Sequence, residues 1–386
     1  MTYRRPLQVF ERITSANRWV LKLLGIDVFN PNFRYSTATW VIWSLASFFI
    51  LVTGYDLYRF RNDVFNFAFA LVTLGYAVIG VSRLGFFLGS PAAYSQIFAE
   101  SKETYRQESS ERSREVQQKY TIMLKQCVML YSGCFLGGCI IAGMLPFAVY
   151  WWTEQKVLPF GVILPFTDPD TMEGYQLNYL YQVSCIAWTP PGLTATQNMY
   201  FALVFNICIQ YDVLQLKLED LDKLIEDTAE YSVIQQKLVE IIHCQQHLSA
   251  FVTEIERIFA VQMFIEISSM AMQIVVILFV EHIVSAISLQ KCQNTLSPFR
   301  LQDLWIPGYL AIIVATFQLL IFCALGTFIS IKADLFAESV YNVSWHQIRI
   351  PEQQSIKFMM AKSQQSLLLT FGGMLPLDMN LFLSVG

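Results

Sequence analysis

Long apolar runs, separated by short polar segments, occupy most of the chain. Seven of them approach the length of about 20 apolar residues that a helix needs to cross the hydrocarbon core of a bilayer. They are residues 36–54, 65–89, 122–150, 178–211, 258–290, 306–331 and 366–386. The pattern predicts an all-α integral membrane protein with seven transmembrane helices.

Two of these runs contain residues that disfavour a helix. Pro190 and Pro191 interrupt the fourth run, so the sequence leaves the start of that helix open. Gly372, Gly373 and Pro376 lie near the middle of the seventh run. The roughly ten residues after Pro376 would rise only about 15 Å at about 1.5 Å per residue, half of the hydrocarbon thickness. We therefore expect a seventh helix that is incomplete within this sequence.

The basic residues predict the orientation in the membrane. Nineteen of the 26 Lys and Arg residues lie in the N-terminal segment and in the segments after the second, fourth and sixth runs, whereas the alternate loops hold five. Lys and Arg accumulate in short cytoplasmic loops. The asymmetry predicts a cytoplasmic N-terminus and, with seven helices, an extracellular C-terminus.

The predicted spans and the predicted orientation together give the expected organisation of the chain. It comprises a cytoplasmic N-terminal segment (1–35), helices 1 to 4 (36–211), cytoplasmic helical extensions (212–257), helices 5 and 6 (258–331), a cytoplasmic anchor segment (332–365) and the seventh helix (366–386). The first 35 residues contain no apolar stretch of the length that a signal peptide requires, so we expect no cleaved leader.

Composition narrows the class of protein further. Hydrophobic residues make up 54% of the chain, charged residues only 15%, and the mean hydropathy is +0.43, which excludes a soluble globular protein. The net charge of −4 provides no basic field for a nucleic acid partner. The eight cysteines show no metal-ligand spacing, so we expect no cofactor.

An apolar stripe at helical spacing runs through residues 212–256, with acidic residues on the other faces. Such a stripe must be buried against protein. We predict a subunit interface, with packing inside the same chain as the alternative. The predicted interface residues, including three from the final cytoplasmic segment, are Leu218, Leu221, Leu238, Trp345, Met359 and Met360.

Several ionisable residues lie inside apolar runs, where they are candidates for a functional role. Arg83 and Lys125 lie near cytoplasmic ends and are expected to extend toward the membrane surface. Glu266 lies near the inner end of its run and could meet either of them. His282, in the outer part of the fifth run, is a candidate hydrogen-bonding group for a ligand; a satisfied bundle histidine is the alternative.

The last run has a pattern suited to a pore. Leu377, Leu381 and Val385 repeat at every fourth position, and Asn380 and Ser384 form an adjacent polar stripe. Apolar rings can close a channel by dewetting, while polar stripes hydrate permeating ions. We predict that, in a channel, these residues include the pore and its gate.

Two ordered sets of residues carry a resemblance to a known family. The C-terminal set is Ser339, Tyr341, Trp345, Met359, Met360, Lys362, Ser363, Gln364, Leu367, Thr370, Gly372, Gly373, Pro376, Leu377 and Phe382. The set in the outer loop before the fourth helix is Leu158, Pro159, Phe160, Leu164, Pro165, Phe166, Asp168, Tyr175, Tyr179 and Gln182. With the seven runs, they resemble the insect odorant receptors over essentially the whole chain. The chain is similar to an odour-tuning subunit; the shared co-receptor has a much longer cytoplasmic insertion between helices 4 and 5.

The resemblance implies a subunit of a heteromeric ligand-gated, non-selective cation channel. Such a subunit assembles with the odorant receptor co-receptor into a heterotetramer in the plasma membrane of a sensory dendrite, and it needs no G protein. The resemblance also implies a pocket for a small volatile in the outer halves of helices 2 to 6. The candidate lining residues are Phe69, Val72, Tyr76, Ile140, Gly143, Phe147, Trp188, Phe279 and His282. Their aromatic character favours a phenol or an indole as ligand.

Other functional classes fit less well. A gustatory receptor channel of the same superfamily is the nearest alternative. A secondary transporter should show inverted repeats with matching broken helices, and none is evident. An intramembrane enzyme needs a catalytic constellation, yet the chain has no His-Glu-x-x-His motif and no closely spaced pair of membrane carboxylates.

The predicted orientation can be tested in intact cells. An epitope tag placed before Met1 should be stained only after the plasma membrane is permeabilised, because the N-terminus is expected in the cytosol. Staining of the tag on unpermeabilised cells would contradict the charge argument.

Overall fold

The structure is a computed structural model that describes residues 6–27, 29–30, 33–107, 110–153, 156–160, 162–227, 229–295, 306–364 and 369–385. The elements in chain order are α1 (Pro6–Leu23), α2 (Thr37–Arg59), α3 (Val64–Gly89), α4 (Pro91–Gln107), α5 (Glu111–Thr153), α6 (Met172–Glu226), α7 (Tyr231–Thr295), α8 (Ile306–Asn342), a 3-10 helix (Trp345–Gln347), α9 (Ile350–Ser363), β1 (Thr370–Phe371), β2 (Leu375–Pro376) and α10 (Met379–Val385). The fold is an antiparallel helical bundle whose long helices continue past the predicted spans.

Among the described residues, six helices are long and apolar enough to cross a membrane: α2, α3, α5, α6, α7 and α8. They coincide with the first six predicted runs. The prediction of a seventh helix over 366–386 is corrected, because the described part of that run is a short antiparallel hairpin of β1 and β2 followed by the seven-residue α10. Seven residues rise about 10 Å, a third of the hydrocarbon core.

Two glycines explain the hairpin. Gly372 and Gly373 have φ angles of 61° and 75°, in the left-handed region that suits glycine and interrupts a right-handed helix. A Cβ on Gly372 would lie 2.9 Å from the ring of Phe264 in α7, so the turn also packs closely on that helix.

The double proline does not break the fourth span. α6 begins at Met172, where the Thr171 hydroxyl accepts a hydrogen bond from the backbone N–H of Gly174 at 3.1 Å, and continues through Pro190 and Pro191 to Glu226. Prolines remove backbone donors, but the surrounding bundle stabilises the helix around them. Most residues of its second half are buried.

The C-terminal end of α6 and the N-terminal end of α7, which were predicted to be cytoplasmic, pack inside this chain. Leu218, Leu221 and Leu238 are 1%, 1% and 2% exposed, and Met359 of α9 is also buried. The prediction that these four side chains form a subunit interface is therefore wrong, and the alternative of packing within the chain holds. Trp345 and Met360 are partly buried against the same core.

Two further helices cover this region, and neither was predicted from the sequence. α1 and α4 lie in segments that had been treated only as charged loops. Phe10 of α1 and Tyr105 of α4 pack with ring centroids 4.8 Å apart, and Lys102 pairs with Glu11 at 2.5 Å.

The α8–α10 contact offers a sharp test of the C-terminal fold. A Cβ on Gly326 of α8 would lie 1.8 Å from the backbone oxygen of Leu377, two residues before α10 begins. Gly326→Ala should lower the Tm of the purified receptor, because the backbone at Leu377 must move. Gly54→Ala is the matched control: nothing lies within 4 Å of its Cβ, and a helical alanine should stabilise by about 0.5–1 kcal/mol. Equal Tm values for the two variants would contradict the close contact.

Candidate functional site

A buried arginine joins three spanning helices. Arg83 of α3 is only 2% exposed. Its Nε and Nη2 atoms donate to the two carboxylate oxygens of Glu266 in α7 at 2.8 and 2.7 Å. The remaining donors reach α6, where the acceptors are the Leu193 carbonyl, the Thr196 hydroxyl and the Gln197 amide oxygen, at 2.8, 3.0 and 2.8 Å. All five guanidinium donors are thereby used.

This geometry corrects one expectation and confirms another. Arg83 does not extend to the membrane surface, because Glu266 and the polar groups of α6 hold it inside the bundle. The suggested contact between Arg83 and Glu266 is confirmed. Gln262, one turn before Glu266, donates to its carboxylate at 2.8 Å. Lys125, in contrast, is exposed on α5.

The outer loop before α6 is held by three fully buried side chains. Asp56 of α2 accepts from the backbone N–H of Ile163 at 2.7 Å. Asn178 accepts from the N–H of Leu164 at 2.7 Å, and Gln182 accepts from the N–H of Phe160 at 2.7 Å while donating to the Val162 carbonyl at 2.6 Å. In the sequence, Gln182 belongs to the set that carries the family resemblance, whereas Asp56 follows the first apolar run and Asn178 begins the fourth. The loop is thus fixed over the end of the bundle that was predicted to be extracellular.

The predicted ligand residues divide into two groups. Val72 and Gly143 are buried, and Phe69, Tyr76 and Trp188 are partly buried. The second group has exposed side chains and consists of Ile140, Phe147, Phe279 and His282. The first three of these are each at least 60% exposed. The structure therefore turns the first group toward the interior of the bundle and the second toward its outer surface.

Some of these residues have specific contacts. The Tyr76 hydroxyl donates to the Ala311 carbonyl of α8 at 3.4 Å. The Gly143 carbonyl accepts from the Tyr179 hydroxyl at 2.8 Å, and the Tyr179 ring lies 5.6 Å from that of Phe147. These contacts connect α5 with the start of α6 beneath the outer loop.

Sequence reasoning also missed a further interior polar residue on α7. Gln273 of α7 is 0% exposed. Its side chain lies against α3 at Gly75, three residues after Val72 and one before Tyr76. It therefore lies beside the stretch of α3 that carries two members of the predicted ligand set, Val72 and Tyr76.

The predicted pore residues are also divided. Leu377 and Leu381 are buried, while Asn380 and Ser384 are exposed. The side chain of Val385 lies outside the described residues. α10 is held to α8 by a hydrogen bond from the N–H of Met379 to the Thr327 hydroxyl at 2.9 Å. The two leucines therefore attach α10 to its own chain, which corrects their predicted placement as rings on a pore surface.

The hairpin before α10 is tied to α7. The Glu256 carboxylate accepts hydrogen bonds from both the backbone N–H of Thr370, at 2.9 Å, and the Thr370 hydroxyl. Glu256 lies on the same helix as Phe264, Glu266 and Gln273. One helix thus contacts the hairpin, the arginine and the interior of the predicted ligand region.

A groove of about 330 Å³ lies elsewhere, between α4 and α7, and is lined by Gln96, Ala99, Glu100, Glu103, Thr104 and His247. Its residues belong to segments predicted as cytoplasmic, so it is separate from the ligand region. Within the described part of the chain, no three His, Cys, Asp or Glu side chains are grouped to hold a metal ion.

A model of the 7tm odorant receptor family matches residues 64–386. The chain belongs to the odorant receptor family. Two Drosophila melanogaster proteins are relatives of this odorant receptor. "Putative odorant receptor 83c" is 21% identical, covering 94% of this chain and 90% of the relative. "Odorant receptor 30a" is 22% identical, covering 65% of this chain and 61% of the relative.

Solved structures show the same fold. The insect olfactory receptor OR5 from Machilis hrabei, in complex with eugenol, superposes on this odorant receptor with a TM-score of 0.78 at 10% identity, covering 98% of this chain and 96% of that one. A second structure of OR5 gives a TM-score of 0.75 over 97% and 96%. The resemblance to insect odorant receptors drawn from the sequence is confirmed, and membership of a receptor family replaces the transporter and enzyme alternatives.

The buried pair of this odorant receptor can be tested by a double-mutant cycle. Arg83→Met or Glu266→Met alone should each destabilise the receptor by about 3–5 kcal/mol, because each leaves an unpaired buried charge. The double variant should be more stable than either single one. Thermal unfolding in detergent measures the series.

The control is an exposed ion pair on α7, the helix that carries Glu266. Arg257 and Glu254 are 2.6 Å apart with side chains 63% and 38% exposed. Arg257→Met should cost no more than about 1 kcal/mol. Strictly additive losses at Arg83 and Glu266 would show that the two residues do not depend on each other.

Proposed function

We propose that this receptor is the odour-tuning subunit of a heteromeric, ligand-gated, non-selective cation channel. The observation that carries the proposal is the shared fold: 98% of the chain superposes on an olfactory receptor whose structure was determined with eugenol bound. Eugenol is a phenol, which supports the preference for a phenolic or indolic aromatic over a charged or long aliphatic ligand. The orientation proposed is a cytoplasmic N-terminus and an extracellular C-terminus, in the plasma membrane of a sensory dendrite.

The proposed ligand region lies in the outer half of the bundle. Its interior side is formed by Phe69, Val72, Tyr76, Gly143 and Trp188, which point inward in the structure. The bonds from Asp56, Asn178 and Gln182 that fix the outer loop support a closed outer end, which would exclude water from a small apolar ligand.

Four further residues of the proposed ligand set would act from the surface of the chain. They are Ile140, Phe147, Phe279 and His282. These side chains reach a ligand only by turning inward or by lying at a boundary with another subunit. The interior-facing group therefore has the stronger support.

The proposed pore is formed around α10. Asn380 and Ser384 lie on its exposed face together with Leu383, which is 74% exposed. The face combines polar groups that can hydrate an ion with an apolar residue that can close a narrow passage. One chain presents this face on one side only, so a pore requires several subunits around an axis. A heterotetramer with the odorant receptor co-receptor meets that requirement.

The link between ligand and pore is proposed to run through α7. This helix faces the interior ligand residues at Gln273, binds Arg83 through Glu266 and holds the hairpin before α10 through Glu256. A small shift of α7 on ligand binding would move the hairpin and therefore α10. No G protein is needed for this route.

The channel proposal predicts a direct current. Cells that lack G-protein signalling components and co-express this chain with the co-receptor should give inward cation currents when phenols and indoles are applied, while cells expressing this chain alone should give none. Whole-cell recording with a volatile panel measures this. Responses that require a G protein, or currents from the chain alone, would contradict the proposal.

The same recordings can locate the pore. In cells giving agonist currents, Asn380→Cys, Leu383→Cys and Ser384→Cys should become sensitive to aqueous thiol reagents in the presence of agonist. Leu381→Cys is the matched control, since that side chain is buried against the chain itself. Insensitivity at all three exposed positions would place the ion path away from α10.

A further inference from the structure

A fully buried glutamine lies near the middle of the apolar run of α7. Gln273 of α7 is 0% exposed, and neither its amide nitrogen nor its amide oxygen forms a hydrogen bond with any described residue. It follows Glu266 by seven residues, about two helical turns toward the outer side. An amide has two donor hydrogens and an oxygen acceptor, so this side chain retains its full capacity to bind a polar group.

Gln182 shows what a structural glutamine looks like in this bundle. It is equally buried, but its oxygen accepts from the Phe160 N–H at 2.7 Å and its nitrogen donates to the Val162 carbonyl at 2.6 Å. A buried polar group without a partner destabilises the fold, because it has lost its hydrogen bonds to water. Gln182 therefore contributes to the fold, whereas the burial of the Gln273 side chain is not offset by a hydrogen bond to any described residue.

The surroundings of Gln273 are built to accommodate its side chain. A Cβ on Gly75 of α3 would lie 2.5 Å from the Gln273 nitrogen, so only glycine leaves room for the amide there. On α7, Met270 and Ile277 lie one turn before and after it and are buried. Val72, on the same stretch of α3 as Gly75, is buried too. The amide thus lies beside apolar side chains of both helices, and a few polar groups among apolar side chains is the composition typical of small-molecule sites.

We propose that Gln273 is the residue that recognises a hydrogen-bonding group of the ligand, and that this group is a hydroxyl. The inference rests on the proposed odorant-binding function. A hydroxyl both donates and accepts, so it matches the amide oxygen and nitrogen together, whereas an ether can only accept. A charged ligand does not fit, because a neutral amide cannot compensate a buried charge. Gln273, inside the bundle, takes the role for which the exposed His282 was the sequence-based candidate.

The first test uses the stability of the empty receptor. Gln273→Leu in the full-length chain should keep or raise its Tm, because it removes an unpartnered buried amide. Gln182→Leu should lower the Tm, because it removes two hydrogen bonds and leaves backbone groups unpaired. A loss of stability in Gln273→Leu as large as that in Gln182→Leu would assign Gln273 a structural role and overturn the proposal.

The second test uses two probes of similar shape, eugenol and its O-methyl ether. In thermal-shift titrations of the purified receptor, Gln273→Leu should raise the half-maximal concentration of eugenol about fivefold, equivalent to about 1 kcal/mol, and barely change that of the ether. Gly75→Ala, which displaces the amide, should produce the same selective loss. Equal shifts for the two probes, or none in either variant, would overturn the assignment.

The outcomes separate this inference from the channel proposal. If the unmodified receptor binds neither probe, the hydroxyl ligand named here is wrong, while currents evoked by other volatiles would leave the channel function intact. If Gln273→Leu loses eugenol selectively but no volatile evokes a current with the co-receptor, the binding role of Gln273 stands and the channel function fails.

Discussion

The ion pair between Arg83 and Glu266 constrains the arrangement of the bundle more than any other contact described. An unpaired charge inside a membrane protein is costly, so α3 must place its guanidinium where acceptors are available. Glu266 supplies two of them from α7, and Leu193, Thr196 and Gln197 supply the rest from α6. These contacts join residues that lie far apart in the sequence, and they fix the rotation and height of the three helices relative to one another. Apolar packing alone would specify that relation weakly, because lipid-facing and core-facing side chains are equally apolar.

The rotation of α7 follows from this pair, and several features depend on that rotation. With Glu266 facing Arg83, Gln273 faces Gly75 of α3, and Glu256 and Phe264 meet the hairpin that leads to α10. A single rigid helix therefore connects the proposed ligand contact with the proposed pore segment. In this account a ligand acts by changing the position of α7 relative to α3, and the hairpin transmits the change.

The sequence predicted the spans well because length and hydropathy are local properties. It predicted the possible meeting of Arg83 and Glu266 because few partners exist for a charge in an apolar run. It could not predict which way uniformly apolar helices face, and so it placed Phe147 and Phe279 in a pocket although both are exposed. Leu218 and Leu238 were read as an interface because α1 and α4 were not recognised as helices. Gln273 was not predicted because its distinguishing feature is that no described residue forms a hydrogen bond with its side chain. Only the three-dimensional packing reveals that feature.

The central claim, that a buried Arg83–Glu266 pair fixes the rotation of α7, is most directly tested by an electron cryomicroscopy map of the receptor assembled with its co-receptor in a lipid nanodisc. The account predicts continuous density between the Arg83 guanidinium and the Glu266 carboxylate, with the Leu193 carbonyl in contact and Gln273 facing Gly75. Arg83 extended to the level of the lipid phosphates, with Glu266 on another face of the bundle, would contradict it.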